Sequence, residues 1–303
     1  MSPRVSATLT IVGDLHRIWR PSDGDWLERA RPDLAMFVGD LGDEDPAIVR
    51  TVASVRVPKV VILGNHDAWQ SFKSKRSTPQ LRESLGILGQ DHLGYSIREV
   101  PSAGITVIGA RPFSWGGQDL RSPELYEELY GVHTTKQSTA RIVELARKAQ
   151  HRDIVILAHN GPLGLSREAG DIYGKDFGKP GGDWGDRDLA LAIARIGAEG
   201  QRVRMVIAGH MHHELVYPRG ALRRRFMRQN GTQYINPAVV PRVRESADGG
   251  TESYFVRTRW AEGQCLSVEE LWLDNGGIER VTVPTFQEAL PLPAGGIAEE
   301  GGE

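Results

Sequence analysis

Apolar and polar positions along the chain follow a repeated grammar: a short, continuous, β-branched apolar run, a Gly-rich polar turn, then a segment of helical spacing. The runs are Ala7–Val12, Leu34–Val38, Val60–Leu63, Ile105–Ile108, Ile154–Leu157 and Met205–Ala208. Their continuity predicts strands covered on both faces. Thr134–Gln150 places Ile142, Val143, Leu145, Ala146 and Ala149 on one side at helical spacing. Asp186–Glu199 repeats Leu189, Ile193 and Ile196 behind acidic residues suited to cap its N-terminus. Asp25–Arg31 and Glu44–Ser54 are shorter helical candidates. From Gln233 to about Val283 the pattern changes, and Tyr234–Ile235, Tyr254–Arg259 and Ser267–Leu273 read as antiparallel strands between Gly-containing turns.

Composition narrows this picture. The chain has 303 residues, 40% hydrophobic and 25% charged, with a net charge of −2. That balance gives no electrostatic reason to expect nucleic acid or an anionic membrane as a partner. Its single cysteine, Cys265, excludes an intramolecular disulfide and a thiolate zinc site, and suits a reducing compartment. The opening segment has no secretory pattern, and no apolar stretch nears the roughly 18 residues that span a bilayer. A cytoplasmic protein is the default expectation, with a plastid location open if the source is a plant. One domain over residues 1–289 is expected, followed by a disordered tail, 290–303, rich in Pro, Gly, Ala and Glu.

The chemistry falls at the ends of the strands. Gly13-Asp14-Leu15-His16 follows the first run, Gly39-Asp40-Leu41-Gly42-Asp43 the second and Gly64-Asn65-His66-Asp67 the third. Ala158-His159-Asn160-Gly161-Pro162 and Gly209-His210-Met211-His212 follow later. Five of the nine histidines therefore lie in these turns, where open α/β sheets bind ligands. The donors are carboxylate and amide oxygens and imidazole nitrogens, which suit Mn, Fe, Zn or Co better than copper(I) and are too nitrogen-rich for calcium. In Asp-X-His and His-X-His, residues i and i+2 of an extended segment would face one site. One carboxylate between two cations could bridge them at about 4 Å. Glycines before Asp40, Asn65 and His210 permit close approach.

In order, spacing and context, these five motifs resemble the calcineurin-like metallophosphoesterase superfamily over roughly residues 5–240. Gly13-Asp14-Leu15-His16-Arg17, Gly174-Lys175-Asp176 and Gly182-Asp183-Trp184-Gly185-Asp186 are further similar to a subgroup found in cyanobacteria and plastids. The resemblance implies a four-layer α/β/β/α fold, with two mixed sheets packed face to face and helices outside. It also implies two divalent cations, with Mn, Fe or Zn foremost and Mg or Co open. Asp14, His16 and His212 would hold the first, Asn65, His159 and His210 the second, and Asp40 would bridge. A hydroxide between the cations would attack phosphorus. His66 would face the phosphate, as general acid or to stabilise the leaving oxygen, and Asp67 would orient His66. The sequence departs from many relatives in lacking a diproline after His159. It also has Glu44 where the superfamily's Ser/Thr protein phosphatases carry an Arg, which argues against a close relationship to those enzymes.

Plain alternatives exist for each feature. A lone His after a strand is more often a hydrogen-bonded turn residue, and Gly-Asp or Asn-His-Asp is ordinary capping chemistry. Five such turns in this order favour the metal reading. His213 should point away from His210 and His212, while His92, His133 and His151 have no motif support. Arg223-Arg224-Arg225 with Arg228 could meet an anionic partner, but such a run more often reads as a solvated edge hairpin. Asn236-Pro237 reads as a strand terminus that could shape the pocket rim. The irregular stretch Gly161–Asp188 reads either as a cover over the site, with Arg167, Lys175 and Trp184 near substrate, or as a surface excursion. The function expected is hydrolysis of a small phosphorylated substrate, with a monoester favoured because no basic channel for a polynucleotide is evident. The alternatives are a phosphodiesterase and a catalytically silent metal-binding scaffold. Oligomeric state is not legible.

Overall fold

A computed structural model describes residues 6–246 and 249–288. The first part of the chain runs β1 (Ala7–Val12), α1 (Pro21–Ala30), β2 (Leu34–Phe37), α2 (Pro46–Ser54), β3 (Lys59–Val61), α3 (Trp69–Ser74) and α4 (Pro79–Leu88). The middle runs β4 (Ile97–Val100), β5 (Ile105–Gly109), α5 (Pro123–Tyr130), α6 (Thr135–Lys148), β6 (Asp153–Ala158), α7 (Arg187–Ala198) and β7 (Arg202–Ala208). The remainder is strand: β8 (Phe226–Gln229), β9 (Thr232–Ile235), β10 (Val243–Glu245), β11 (Thr251–Ala261), β12 (Gln264–Leu273), β13 (Glu279–Thr282) and β14 (Gln287–Glu288). The expected tail, 290–303, lies outside the described residues.

The described residues form two mixed sheets. One is ordered β13-β12-β11-β1-β2-β3 with β10 on β11, the other β14-β8-β9-β7-β6-β5-β4. Strands β1, β2 and β3 are parallel, as are β5, β6, β7 and β9. The pleat sorts each continuous run onto two faces. Leu9, Ile11, Met36 and Val60 of the first sheet share one buried core with Val107, Val155, Leu157, Met205 and Ile207 of the second. Their neighbours Val12, Phe37, Val61, Ile154, Ile156 and Val206 join a separate core with helix residues Leu27, Val49, Val52, Ile142, Leu189 and Ile196. This is why the runs are apolar throughout: one face meets the other sheet, and the opposite face meets helices. The α/β fold with two packed sheets and flanking helices stands as expected. Among the described residues no helix is long and apolar enough to cross a membrane.

Local chemistry explains the helix starts. Asp45 accepts from Ala47 N ahead of Pro46, Thr78 accepts from Leu81 N ahead of Pro79, and Thr134 with Gln137 forms a capping box. The sequence pattern does not mark helices α3, α4 and α5. Glu44 is not part of α2. It adopts φ 57° and turns its carboxylate onto Gln70 N and Ser71 N at the start of α3. Asp186 stands at the N-cap position of α7, yet its side chain makes no capping bond and serves a different purpose described below.

Candidate metal centre

The parallel strands of both sheets deliver their carboxyl ends to one edge of the molecule. Asp14 follows β1, Asp40 follows β2, Asn65 and His66 follow β3, His159 follows β6, and His210 and His212 follow β7. Two groups of ligand-type atoms result, each within 4.8 Å of one another: Asp14, His16, Asp40 and His212, then Asp40, His159 and His210. Asp40 belongs to both. Its Oδ2 lies 3.6 Å from His16 Nε2, while its Oδ1 lies 3.4 Å from His159 Nε2. Asn65 Oδ1 lies 2.9 Å from His159 Nε2 and 2.8 Å from His210 Nδ1, which places it with the second group. His16 Nε2 and His212 Nε2 are 3.0 Å apart. The structure thus brings all seven expected ligand residues together.

Turn geometry, not extended alternation, makes them converge. His16, Asp40 and His210 have φ of 43°, 47° and 65°, in the left-handed region that non-glycine residues seldom adopt. The expectation that each His faces the site because i and i+2 of a strand share a side is therefore corrected. The strands have already ended, and the backbone reverses. Hydrogen bonds from Leu15 N and His16 N to Asp40 O, at 3.0 and 2.8 Å, hold the first two turns against one another. Glycine is required by proximity. A Cβ on Gly64 would stand 2.3 Å from Asp40 Oδ1 and 2.5 Å from His159 Cε1, and one on Gly209 would stand 2.0 Å from Asp14 Oδ1.

Electrostatics test whether these residues fit cations. Asp14 is fully buried, Oδ1 has no hydrogen-bond partner, and burial followed by the nearby Asp40 charge drives its pKa well above the carboxylate range. Burial would also raise Asp40, but His159, His16, His66 and His210 outweigh it and hold Asp40 at about 2. Burial first, then neighbouring His159, lowers His210 to about 3; burial and then His16 lowers His212 to about 4. Burial likewise lowers His16 and His159. His159 Nδ1 sits 2.8 Å from Val38 O, which directs the lone pair of Nε2 into the group. Neutral imidazoles, buried carboxylates and an orphaned carboxylate oxygen are what divalent cations would satisfy.

The partner of His66 differs from expectation. Asp67 does not orient it. The Asp67 carboxylate is buried, accepts from Gly42 N at 3.0 Å and Gly64 N at 2.8 Å, and is pushed up to about 8 by burial and by Asp40. It ties the second and third turns together. His66 Nδ1 instead meets Asp43 Oδ1 at 2.8 Å, and its ring stacks on Trp69 at 5.2 Å. Asp43 is visible in the second motif, but sequence adjacency favours Asp67. The short helical turn that begins at His66 points neighbouring side chains apart.

Around the candidate ligands, further residues lock the turns. Asn236 is buried, donates to Met211 O at 2.7 Å and to Ile172 O at 3.2 Å, and accepts from Ala238 N. Asp186 accepts from Ser114 Oγ at 2.7 Å and Asn160 Nδ2 at 3.1 Å and pairs with buried Arg111 at 3.0 Å. Arg223 overturns the solvated reading of its run. It is buried, donates to His212 O at 2.8 Å and to the carbonyls of Ala169, Asp171 and Gly174, and pairs with Asp176 at 3.1 Å. Arg224 pairs with Asp171, and Arg225 with Glu270. No sequence signal separates such arginines from surface ones. His213, as expected, turns away, with Nδ1 3.0 Å from Arg223 O.

A cavity of about 870 Å³ stands over the centre, lined by Asp40, Asn65, His66, His210 and His212 at its base and by Trp184 and Phe177 of the 161–186 stretch. That stretch is therefore a wall of the site. Trp184 lines the cavity, whereas Arg167 and Lys175 do not; Lys175 stands 5.2 Å from the Trp184 ring. A second cavity of about 540 Å³, beside α7, contains none of the candidate ligands.

Two cation-type clusters sharing one carboxylate, at the carboxyl edge of two packed sheets, define the class as an α/β protein with a candidate dinuclear metal centre. The chain belongs to the calcineurin-like phosphoesterase family, whose model matches residues 7–214. No curated protein matches it. Among solved structures it is similar to the Thermus thermophilus sulfate thiohydrolase SoxB in complex with glycerol, at 13% identity over 91% of this chain and 58% of that one, with a TM-score of 0.46. It is also similar to a hypothetical protein from Thermus thermophilus, at 11% identity over 88% and 99% of the two chains, TM-score 0.43. Vps29 complexed with zinc from Entamoeba histolytica is 14% identical over 91% and 97%, TM-score 0.39.

Proposed function

We propose that the protein hydrolyses a small phosphoester, a monoester in preference to a diester, using two divalent cations. Asp14, His16 and His212 would hold one, Asn65, His159 and His210 the other, with Asp40 shared. The observation that carries this reading is the membership of Asp40 in both ligand groups beneath a cavity that His66 also lines. Bound cations supply charge neutralisation and lower the pKa of water. The chain's own groups do the rest. Asp43 fixes the His66 ring through Nδ1, leaving Nε2 as the atom that hands a proton to the leaving oxygen. Asp67 keeps the turns carrying Asp40 and Asn65 in register through Gly42 N and Gly64 N. The cavity carries Arg121 but also Asp119 and Asp176, a mixed lining that supports a compact substrate over a polynucleotide.

The test is hydrolysis of p-nitrophenyl phosphate and bis-p-nitrophenyl phosphate by chelated protein with Mn, Mg, Zn, Fe or Co restored singly. We expect metal-dependent release, greater from the monoester, and loss of both cations with activity in Asp40→Asn. Equal cation content in Asp40→Asn would remove the shared-ligand assignment; no turnover of either ester with any metal would remove the hydrolase reading.

A further inference from the structure

Three of the chain's seven tryptophans, Trp69, Trp115 and Trp184, line the cavity over the candidate centre together with Phe177. They come from separate segments: the start of α3, the stretch after β5 and the end of the 161–186 stretch. No single amphipathic element accounts for them. None is fully buried, and Phe177 is 36% exposed.

The Trp184 wall is held in place from several sides. Its backbone N donates to Tyr173 O at 2.9 Å, and its carbonyl accepts from Gly117 N and Asn160 Nδ2, both at 2.9 Å. Its indole Nε1 donates to Trp115 O at 2.8 Å. Gly116, at φ 73°, packs so closely that a Cβ there would stand 2.3 Å from Trp184 Cδ1. At the reacting end, Trp69 and Trp115 have ring centroids 5.1 Å apart, and Trp69 stacks on His66. Rings fixed in this way have little side-chain freedom left to lose when a ligand arrives. One cation lines the cavity with them, Arg121, 4.0 Å from the Trp115 ring; Lys73 and Lys175, 5.2 Å from the Trp69 and Trp184 rings respectively, are not part of the lining. The carboxylates lining the cavity away from the centre are Asp119, which is exposed, and Asp176, which is engaged by Arg223.

The rings and the Arg121 guanidinium together match an anion that carries its own ring. We propose that the cavity takes a phosphoester whose alcohol bears a planar aromatic group of nucleoside size, seated against the Trp69, Trp115 and Trp184 walls. This rests on the hydrolase reading and adds the substrate class to it.

Adenosine 5′-monophosphate and glycerol 3-phosphate decide it. Both are dianionic esters of primary alcohols, so ring contacts rather than leaving-group chemistry separate them. We expect kcat/KM for the adenosine ester to exceed that for the glycerol ester by about tenfold or more. That ratio should fall by about tenfold in Trp184→Ala and recover in Trp184→Phe, which keeps a ring. If Trp184→Ala does not fold, Phe177→Ala, at an exposed position, should lower the same ratio. If only diesters are cleaved, the methyl esters of the two phosphates replace them. A ratio near one, or one unmoved by these substitutions, overturns the aromatic assignment while hydrolysis stands. If no phosphoester is cleaved with any metal, the hydrolase reading falls and direct binding decides the walls. Saturable quenching of tryptophan fluorescence by adenosine 5′-monophosphate, stronger than by glycerol 3-phosphate, supports them; its absence overturns them.

Discussion

His16, Asp40 and His210 sit where L residues cost roughly 1–3 kcal/mol each, and the surrounding hydrogen bonds and close glycines keep them there. The strain aims three donors at one edge, which unstrained turns would splay. At the same scale, Asp43 and Asp67 separate two tasks that sequence proximity merges. Asp43 touches the His66 ring, whereas Asp67 accepts from the backbone of two turns. Replacing Asp43 by Asn should therefore lower turnover about ten- to a hundredfold without altering bound cation. Elemental analysis beside the kinetic assay checks both halves. Loss of cations, or undiminished turnover, would contradict the positioning role.

At the scale of elements, the 161–186 stretch has neither helix nor named strand, yet buried side chains and hydrogen bonds hold it in place. Ile172 and Tyr173 are buried, Asp183 Oδ2 accepts from Gly164 N, Leu165 N and Ser166 N, and Arg223 gathers three of its carbonyls. Arg223 also holds the carbonyl of His212, so wall and ligand turn share one side chain. Arg223→Met would leave buried Asp176 without its charge partner, with only the hydrogen bond from Val216 N. We expect a loss of about 3–5 kcal/mol in unfolding free energy, read from the urea midpoint, together with weaker cation binding. A variant as stable as the parent would show that the stretch is held by other contacts. Nothing in the Arg-Arg-Arg run distinguishes Arg223 from its neighbours, because burial of a cation depends on carbonyls contributed from some fifty positions away.

For the whole molecule, two cores share the load: one between the sheets and one beneath the helices. The sheets meet so that β1, β2 and β3 of one and β6 and β7 of the other end side by side, and the cations would bridge the two sheets. Ligands that bind the folded chain alone stabilise it by mass action, about 2.7 kcal/mol at a hundredfold excess over Kd. Chelation should accordingly lower the thermal midpoint, and excess Mn should restore it. An unchanged midpoint after verified removal of the cations would mean that the two sheets do not depend on the shared site.

Much of this was written locally. Continuous apolar runs specified buried strands because both faces of each strand are covered, and Asp, Asn and His in Gly-bounded turns marked the candidate metal site through residue type alone. Tertiary structure decided the rest. It chose Asp43 over Asp67 for His66, drew Arg223 inward, placed Asp186 on Arg111 instead of on its own helix, and assembled Trp69, Trp115 and Trp184 into one wall. In each case the choice lies between polar or aromatic partners that are equally available by residue type. What selects among them is burial and approach between segments far apart in the chain, which no local pattern encodes.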